Sequence, residues 1–153
     1  MIAVIQRAFG ARVFCDGELG SEISRGLYIL LGVMKGDEKK DAEMLSEKIS
    51  KLRIFSDEAG KMNLSVKDVD VEAMVVSNFT LGANYSHGNR PDYFGAAAPD
   101  EACALYEYFV LCLSERVRRV TTGRFGADMR TELETDGPVT IVMSSEVLRG
   151  GKK

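Results

Sequence analysis

Val75-Val76-Ser77-Asn78-Phe79-Thr80-Leu81 is an apolar run that ends in hydroxyl and amide side chains. It closes the strongest strand pattern in the chain, Val71 to Leu81, where Val71, Ala73, Met74, Val75, Val76, Phe79 and Leu81 supply the apolar bulk. Its polar end is therefore held on a rigid support. A second stretch, Asp136-Gly137-Pro138-Val139-Thr140, is a Gly-Pro turn that opens the last strand. Read together, the two stretches point to a small hydrolase.

Working outward from that strand, the apolar period alternates between two and three to four. Met1 to Phe9 reads as a strand that Gly10 breaks, with Ile2, Val4, Gln6 and Ala8 on one face and Ala3, Ile5 and Arg7 on the other. Ala11 to Cys15 reads as a second short strand, and Asp16-Gly17 as a hairpin turn whose glycine tolerates positive φ. Leu27 to Met34 is apolar on both faces, the pattern of a central strand. Asp37 is the expected N-cap of a helix reaching Leu52. Ala42, Leu45, Ile49 and Leu52 form its apolar stripe, while Glu38, Lys39, Lys40, Glu47, Lys48 and Lys51 stay in solvent.

Arg53-Ile54-Phe55 and Met62 to Val66 are expected to pair across the turn residues Ser56 to Gly60. Gly82 to Ala98 reads as a functional loop. Pro99 starts a second helix, acidic at Asp100 and Glu101, whose stripe runs through Ala102, Leu105, Tyr106, Phe109, Leu113 and Val117 and which ends near Arg119. Thr131 to Thr135 and Val139 to Val147 complete the strands. The predicted fold is one mixed α/β domain over residues 1–147, with layered β-sheets or a partial barrel and two main helices. A flexible tail is expected over 148–153.

Composition narrows the function classes. A chain of 153 residues fits one domain with its own core, and 45% hydrophobic with 28% charged residues excludes wholesale disorder. Cys15, Cys103 and Cys112 are an odd number at no metal-like spacing, and the N-terminal stretch lacks the organisation of a signal peptide. Both imply a reduced cytoplasmic setting. The apolar runs are too short to span a bilayer. A net charge of −3 argues against coating nucleic acid through a general positive field. A grip on one RNA end would need a local patch, for which Arg116, Arg118, Arg119 and Arg124 are the densest candidate.

The residue inventory eliminates further mechanisms. His87 is the single histidine and lies in a Gly/Asn-rich segment, so a multi-histidine zinc site cannot be assembled, and nothing fixes His87 near Ser77 for a triad. Ser77 and Thr80 are hydroxyls without an adjacent base. Their bland role is to hydrogen-bond the backbone, and the alternative is Thr80 as the nucleophile of a small-ester hydrolase. Gly137-Pro138 taken alone marks an ordinary turn.

Six separated motifs resemble the D-aminoacyl-tRNA deacylases. They are Met1-Ile2-Ala3-Val4-Ile5-Gln6-Arg7, Arg53-Ile54-Phe55-Ser56-Asp57, Gly60-Lys61-Met62-Asn63-Leu64, Ser77-Asn78-Phe79-Thr80-Leu81, Thr122-Gly123-Arg124-Phe125-Gly126-Ala127-Asp128-Met129 and Thr135-Asp136-Gly137-Pro138-Val139-Thr140. Asn78 stands where that family usually has Gln, and Leu148 to Lys153 has no counterpart.

The resemblance implies a homodimer that hydrolyses the ester of a D-amino acid, or glycine, on the 3′ end of tRNA, with no metal or organic cofactor. It implies a wall formed by Ser77, Asn78, Phe79 and Thr80, whose backbone N–H groups stabilise an oxyanion wherever they are left unpaired. It further implies that the tRNA 2′-hydroxyl assists the attacking water. A cis Gly137-Pro138 reaches into the partner subunit's site, rejects L side chains by collision, and is held by Arg7. Phe125 and Met129 would line the pocket for adenosine and amino acid; their alternative is core packing. Arg124 would meet a phosphate or remain a solvated charge. The non-enzymatic alternative is a dimeric nucleic-acid-binding module on the same fold.

Overall fold

The computed structural model describes residues 1–150. Strands β1 (Ile2–Cys15), β2 (Glu18–Ile23), β3 (Gly26–Gly32), β6 (Glu72–Ser77) and β7 (Val120–Thr122) run in the order β2-β1-β3-β6-β7. β8 (Met129–Ser144) pairs antiparallel with β1 over residues that also pair with β3, so it occupies the opposite edge of β1. Ser21 of β2 donates through Oγ to the Thr122 carbonyl of β7 at 2.7 Å. The two ends of the sheet thereby meet in a nearly closed barrel. β4 (Phe55–Ser56) and β5 (Met62–Leu64) form the expected small hairpin.

Helices α1 (Lys39–Ser50) and α2 (Pro99–Ser114) cover one face of this sheet, and α3 (Ser145–Leu148) follows β8. The helix-side core joins Ala42, Leu45 and Ile49 of α1 and Tyr106, Phe109 and Leu113 of α2 to Ile5, Ile29 and Val75 of the sheet. Ala11, Val13, Ile23, Tyr28, Met74 and Val76 form a second core on the other face. β3 and β6 are therefore buried on both faces, as the continuous apolar run of β3 predicted.

Several boundaries differ from the sequence expectations, each for a tertiary reason. Gly10 does not break the first strand. β1 runs through it, with register shifts at Gln6/Ala8 and Ala8/Gly10 against β8. The bend turns Ala3 and Ile5 toward the helix-side core and Ala11, Val13 and Cys15 toward the second. The Asp16-Gly17 turn is realised, with φ of 50° and 86°. β6 stops at Ser77, and Phe79–Gly82 forms a 3₁₀ turn instead of continuing the strand. α2 ends at Ser114, not Arg119, although Val117 is still buried. Gly137-Pro138 does not open a strand; β8 is continuous through it, and Val147 lies in α3.

Asp37 is not the helix cap. Its carboxylate is buried and accepts from the Met1 ammonium (2.6 Å), the Met34 N–H (2.6 Å) and Arg149 (3.2 Å). Glu38 takes the N-cap position instead, and its N–H donates to Asp41 at 2.8 Å. Leu148 packs on the helix-side core and Arg149 pairs with Asp37 and Asp41, so fixed contacts extend past residue 147. Of the expected tail, Gly151 to Lys153 lies outside the described residues. No helix among the described residues is long and apolar enough to cross a membrane.

Burial alone would raise the Asp41 carboxyl pKa, but the Glu38 N–H, Arg149 and Ser145 outweigh it and hold it below the usual carboxylate range. With the folded pKa depressed, Asp41 stabilises the fold above its unfolded value of about 3.9 and loses that contribution as pH falls through the folded pKa. Asp41→Asn is expected to destabilise the protein at pH 7 and to flatten the loss of stability below about pH 4. Urea midpoints measured from pH 2.5 to pH 7 check this.

Candidate active site

At the C-terminal end of β6 lies a cavity of about 240 Å³ lined by Ser77, Asn78, Phe79, Phe125 and Met129 together with Leu31, Val33, Ala102, Tyr106, Gly126 and Ala127. Two separated sequence motifs, Ser77–Leu81 and Thr122–Met129, thus converge on one space. β3 and β6 pair in parallel, so Leu31 lies opposite Ser77 and the strand ends supply the floor. The N-terminal part of α2 supplies Ala102 and Tyr106, and the segment between β7 and β8 supplies Phe125 to Ala127. Tyr106, read from the sequence as a core residue on a helical stripe, is a lining residue that the sequence analysis missed. Its hydroxyl donates to the Val75 carbonyl at 2.8 Å and its ring meets Phe125 at 5.8 Å between centroids. Burial pushes its pKa up, so the phenol stays protonated.

The backbone donors at the strand end are not equivalent. The Asn78 N–H donates to the Leu31 carbonyl at 2.8 Å, and the Thr80 N–H to Asn78 Oδ1 at 3.2 Å. The Phe79 N–H finds no acceptor among the described residues. The Thr80 hydroxyl also donates to Asn78 Oδ1, an amide oxygen that cannot serve as a base, and Thr80 is not a lining residue. The lining contains no histidine, carboxylate or lysine, and His87 lies exposed in the segment between the 3₁₀ turn and α2.

Arg7, Gly137 and Pro138 sit elsewhere. The Arg7 guanidinium is buried and donates to the Ile54 carbonyl at 2.6 Å and to Asp136 Oδ1 at 3.0 Å, with its Nε 3.0 Å from Asp136 Oδ2. It thus holds the residue before Gly137 and not the Gly-Pro backbone itself. Gly137-Pro138 is a cis peptide and is exposed. At φ 129° a Cβ on Gly137 would lie 2.7 Å from the Val139 nitrogen, so only glycine fits. Arg7 pairs with Leu27, and Leu27 with Ala73, four residues before Ser77. Within one chain the Gly-Pro segment is therefore about 13 Å from the cavity along the strands, and several strands away across the sheet.

The four arginines do not form one patch. Arg118 and Arg119 pair with Glu72 at the opposite end of β6 from Ser77. Arg116 donates to the Cys112 carbonyl, and Arg124 pairs with Asp16.

Residues 4–144 match the family model described as D-Tyr-tRNA(Tyr) deacylase. The chain belongs to that family. A D-aminoacyl-tRNA deacylase of Geobacter metallireducens is 50% identical over 99% of this chain and 100% of its own length. One from Thermotoga petrophila is 49% identical over 97% of this chain and 99% of its own length. Among solved structures, a protein named c-Myc DNA Unwinding Element Binding Protein superposes with a TM-score of 0.89 at 39% identity, covering 94% of this chain and 98% of its own. A probable eukaryotic D-amino acid tRNA deacylase shares the fold at 13% identity and a TM-score of 0.82, covering 93% and 97%.

Proposed function

We propose that the protein hydrolyses the ester between a D-amino acid, or glycine, and the 3′ end of tRNA, in a reduced cytoplasmic setting and as a homodimer. The observation that carries this reading is the cavity at the end of β6, where Ser77, Asn78 and Phe79 meet Phe125 and Met129 and the Phe79 N–H finds no acceptor among the described residues. Water adds to the ester carbonyl carbon and the C=O electron pair moves to oxygen. The Phe79 N–H stabilises that oxyanion, and collapse then breaks the bond to the ribose oxygen, which takes up a proton. With no protein base in the lining, the neighbouring 2′-hydroxyl of the terminal ribose orients and activates the water. Phe125 offers an aromatic face to the terminal adenine.

Chiral selection is assigned to Gly137-Pro138 of a second copy, because the segment of the same chain is too far from the cavity. Two features favour self-association. β8 is a 16-residue strand paired only with β1 among the described residues, and Val142 on it is 71% exposed. A long free edge of this kind favours pairing with another chain. A rigid backbone wall brought in by the partner collides with an L side chain and admits hydrogen, so D-aminoacyl and glycyl esters enter and L esters do not.

Deacylation of matched D-aminoacyl-, L-aminoacyl- and glycyl-tRNA by the purified protein tests the reading. The D ester should be cleaved rapidly, the glycyl ester cleaved, and the L ester spared; survival of all three would refute it. The similarity to a protein named for binding a DNA unwinding element motivates one rival, a nucleic-acid-binding module. Tight, salt-dependent binding of DNA or RNA without ester turnover would favour that rival.

A further inference from the structure

We propose that the loop from Gly82 to Ala98 is a stacking platform for the nucleotide on the 5′ side of the terminal adenosine, with Tyr93 and Phe94 supplying the aromatic rings. This assignment rests on the deacylase reading and adds a second nucleotide subsite to it. The loop has the length of a functional one, and the cavity lining uses none of it. Its conformation is fixed. Asn84 and Asp92 exchange backbone hydrogen bonds at 2.8 and 3.0 Å, Asn84 Nδ2 donates to Asp92 Oδ2 at 3.2 Å, and Asp92 Oδ1 accepts the Phe94 N–H at 3.2 Å.

The loop is moored to the cavity rim at two points. The Ala97 N–H donates to the Val33 carbonyl at 3.0 Å, and the Tyr93 ring meets Phe79 edge to face at 5.1 Å between centroids. Val33 and Phe79 both line the cavity. Core packing does not account for the rings: Tyr85 and Phe94 are 79% and 78% exposed, and Phe79 and Tyr93 stay exposed despite their mutual contact. Exposed aromatic rings gathered beside a binding cavity mark an interaction surface.

The charges nearby select the occupant. Lys35, whose N–H donates to the Gly95 carbonyl at 2.9 Å, and Arg90 within the loop are both exposed, and neither forms an ion pair among the described residues. Aromatic rings beside unpaired cations suit single-stranded nucleic acid, whose bases stack and whose phosphates seek positive charge. The 3′ end of tRNA is such a strand. With its terminal adenosine in the cavity, it leaves across the rim that carries this loop.

Binding of three non-hydrolysable analogues, each with an amide-linked D-amino acid, tests the assignment: adenosine, cytidylyl-adenosine, and that dinucleotide without its cytosine base. Wild-type protein should bind the dinucleotide on the order of tenfold tighter than the adenosine, and the abasic form should lose most of this gain. Tyr93→Leu combined with Phe94→Ala should abolish the base-dependent gain while the adenosine analogue binds as before, and Tyr93→Phe should keep it. Phe94→Ala alone removes a ring that is largely in solvent, so the fold tolerates it, and it should reduce the gain by itself.

Equal affinities of wild-type protein for the dinucleotide and its abasic form would overturn the assignment. So would a gain that survives undiminished in Phe94→Ala and in the double variant, or an equal loss of adenosine binding, which would place the rings in the first subsite. A changed oligomeric state of the double variant in sedimentation, with the gain intact, would assign the rings to a subunit interface. Wild-type protein that cleaves D-aminoacyl-tRNA but shows no gain refutes this assignment alone. Wild-type protein that leaves the ester intact refutes the deacylase reading, and the assignment with it.

Discussion

Arg7→Met is expected to lower stability by about 3–5 kcal/mol, because it leaves the Asp136 carboxylate partly buried without its partner. Arg7 donates one hydrogen bond to Asp136 Oδ1 at 3.0 Å and keeps its Nε at ion-pair distance, 3.0 Å, from Oδ2; the side chains are only 10% and 15% exposed, and the same guanidinium donates to the Ile54 carbonyl. The methionine keeps the apolar stem of the arginine and supplies none of these donors. Arg7→Met with Asp136→Asn should recover part of the loss, since no uncompensated charge then remains. Urea midpoints of the two single variants and the double variant measure the coupling.

A functional effect accompanies it. Arg7 fixes the residue before Gly137, so loosening this contact frees the Gly-Pro wall and should raise L-ester hydrolysis relative to D. Arg7→Lys keeps the charge but loses the planar geometry of the guanidinium, and is the milder variant for the D/L ratio. An unchanged ratio in folded Arg7→Lys and Arg7→Met would sink the proposed role of Gly137-Pro138 in selection.

Gly26→Ala should be as severe, at about 3 kcal/mol or more, through overpacking. Gly26 lies opposite Glu72 in the parallel pairing of β3 and β6, and a Cβ there would sit 1.9 Å from the Glu72 carbonyl oxygen. The obstacle is backbone, so no side-chain rotation relieves it. Separating the strands would also disturb Glu72, whose carboxylate accepts the Ser24 N–H and both Arg118 and Arg119. β6 carries Ser77 to the cavity, so deacylase activity should fall with the folded fraction. Gly10→Ala is the control: a Cβ there would lie 3.6 Å from the Ile23 carbonyl, an ordinary contact, and stability should change by less than about 0.5 kcal/mol. A destabilised Gly10→Ala beside a stable Gly26→Ala would contradict the packing described.

The sequence by itself determined the apolar strands, the two helical stripes and the Asp16-Gly17 turn, because each is written in local periodicity and local backbone preference. The six motifs carry the family, and Ser77, Asn78, Phe79, Phe125 and Met129 are legible in two of them as candidate site residues. Tertiary structure decided what depends on distant partners. Gly10 carries a bend instead of a break because β8 lies alongside, and Asp37 leaves the helix cap because Met1 and Arg149 reach it through space. Tyr106 is a cavity wall only because α2 lies across the end of β6, and Arg118 and Arg119 are spent on Glu72 at the wrong end of that strand. Which of three neighbouring N–H groups remains free was likewise invisible in sequence. It depends on the Leu31 carbonyl across the sheet and on the Asn78 side chain folding back over Thr80, and hydrogen-bond partners of that kind exist only once the chain has packed.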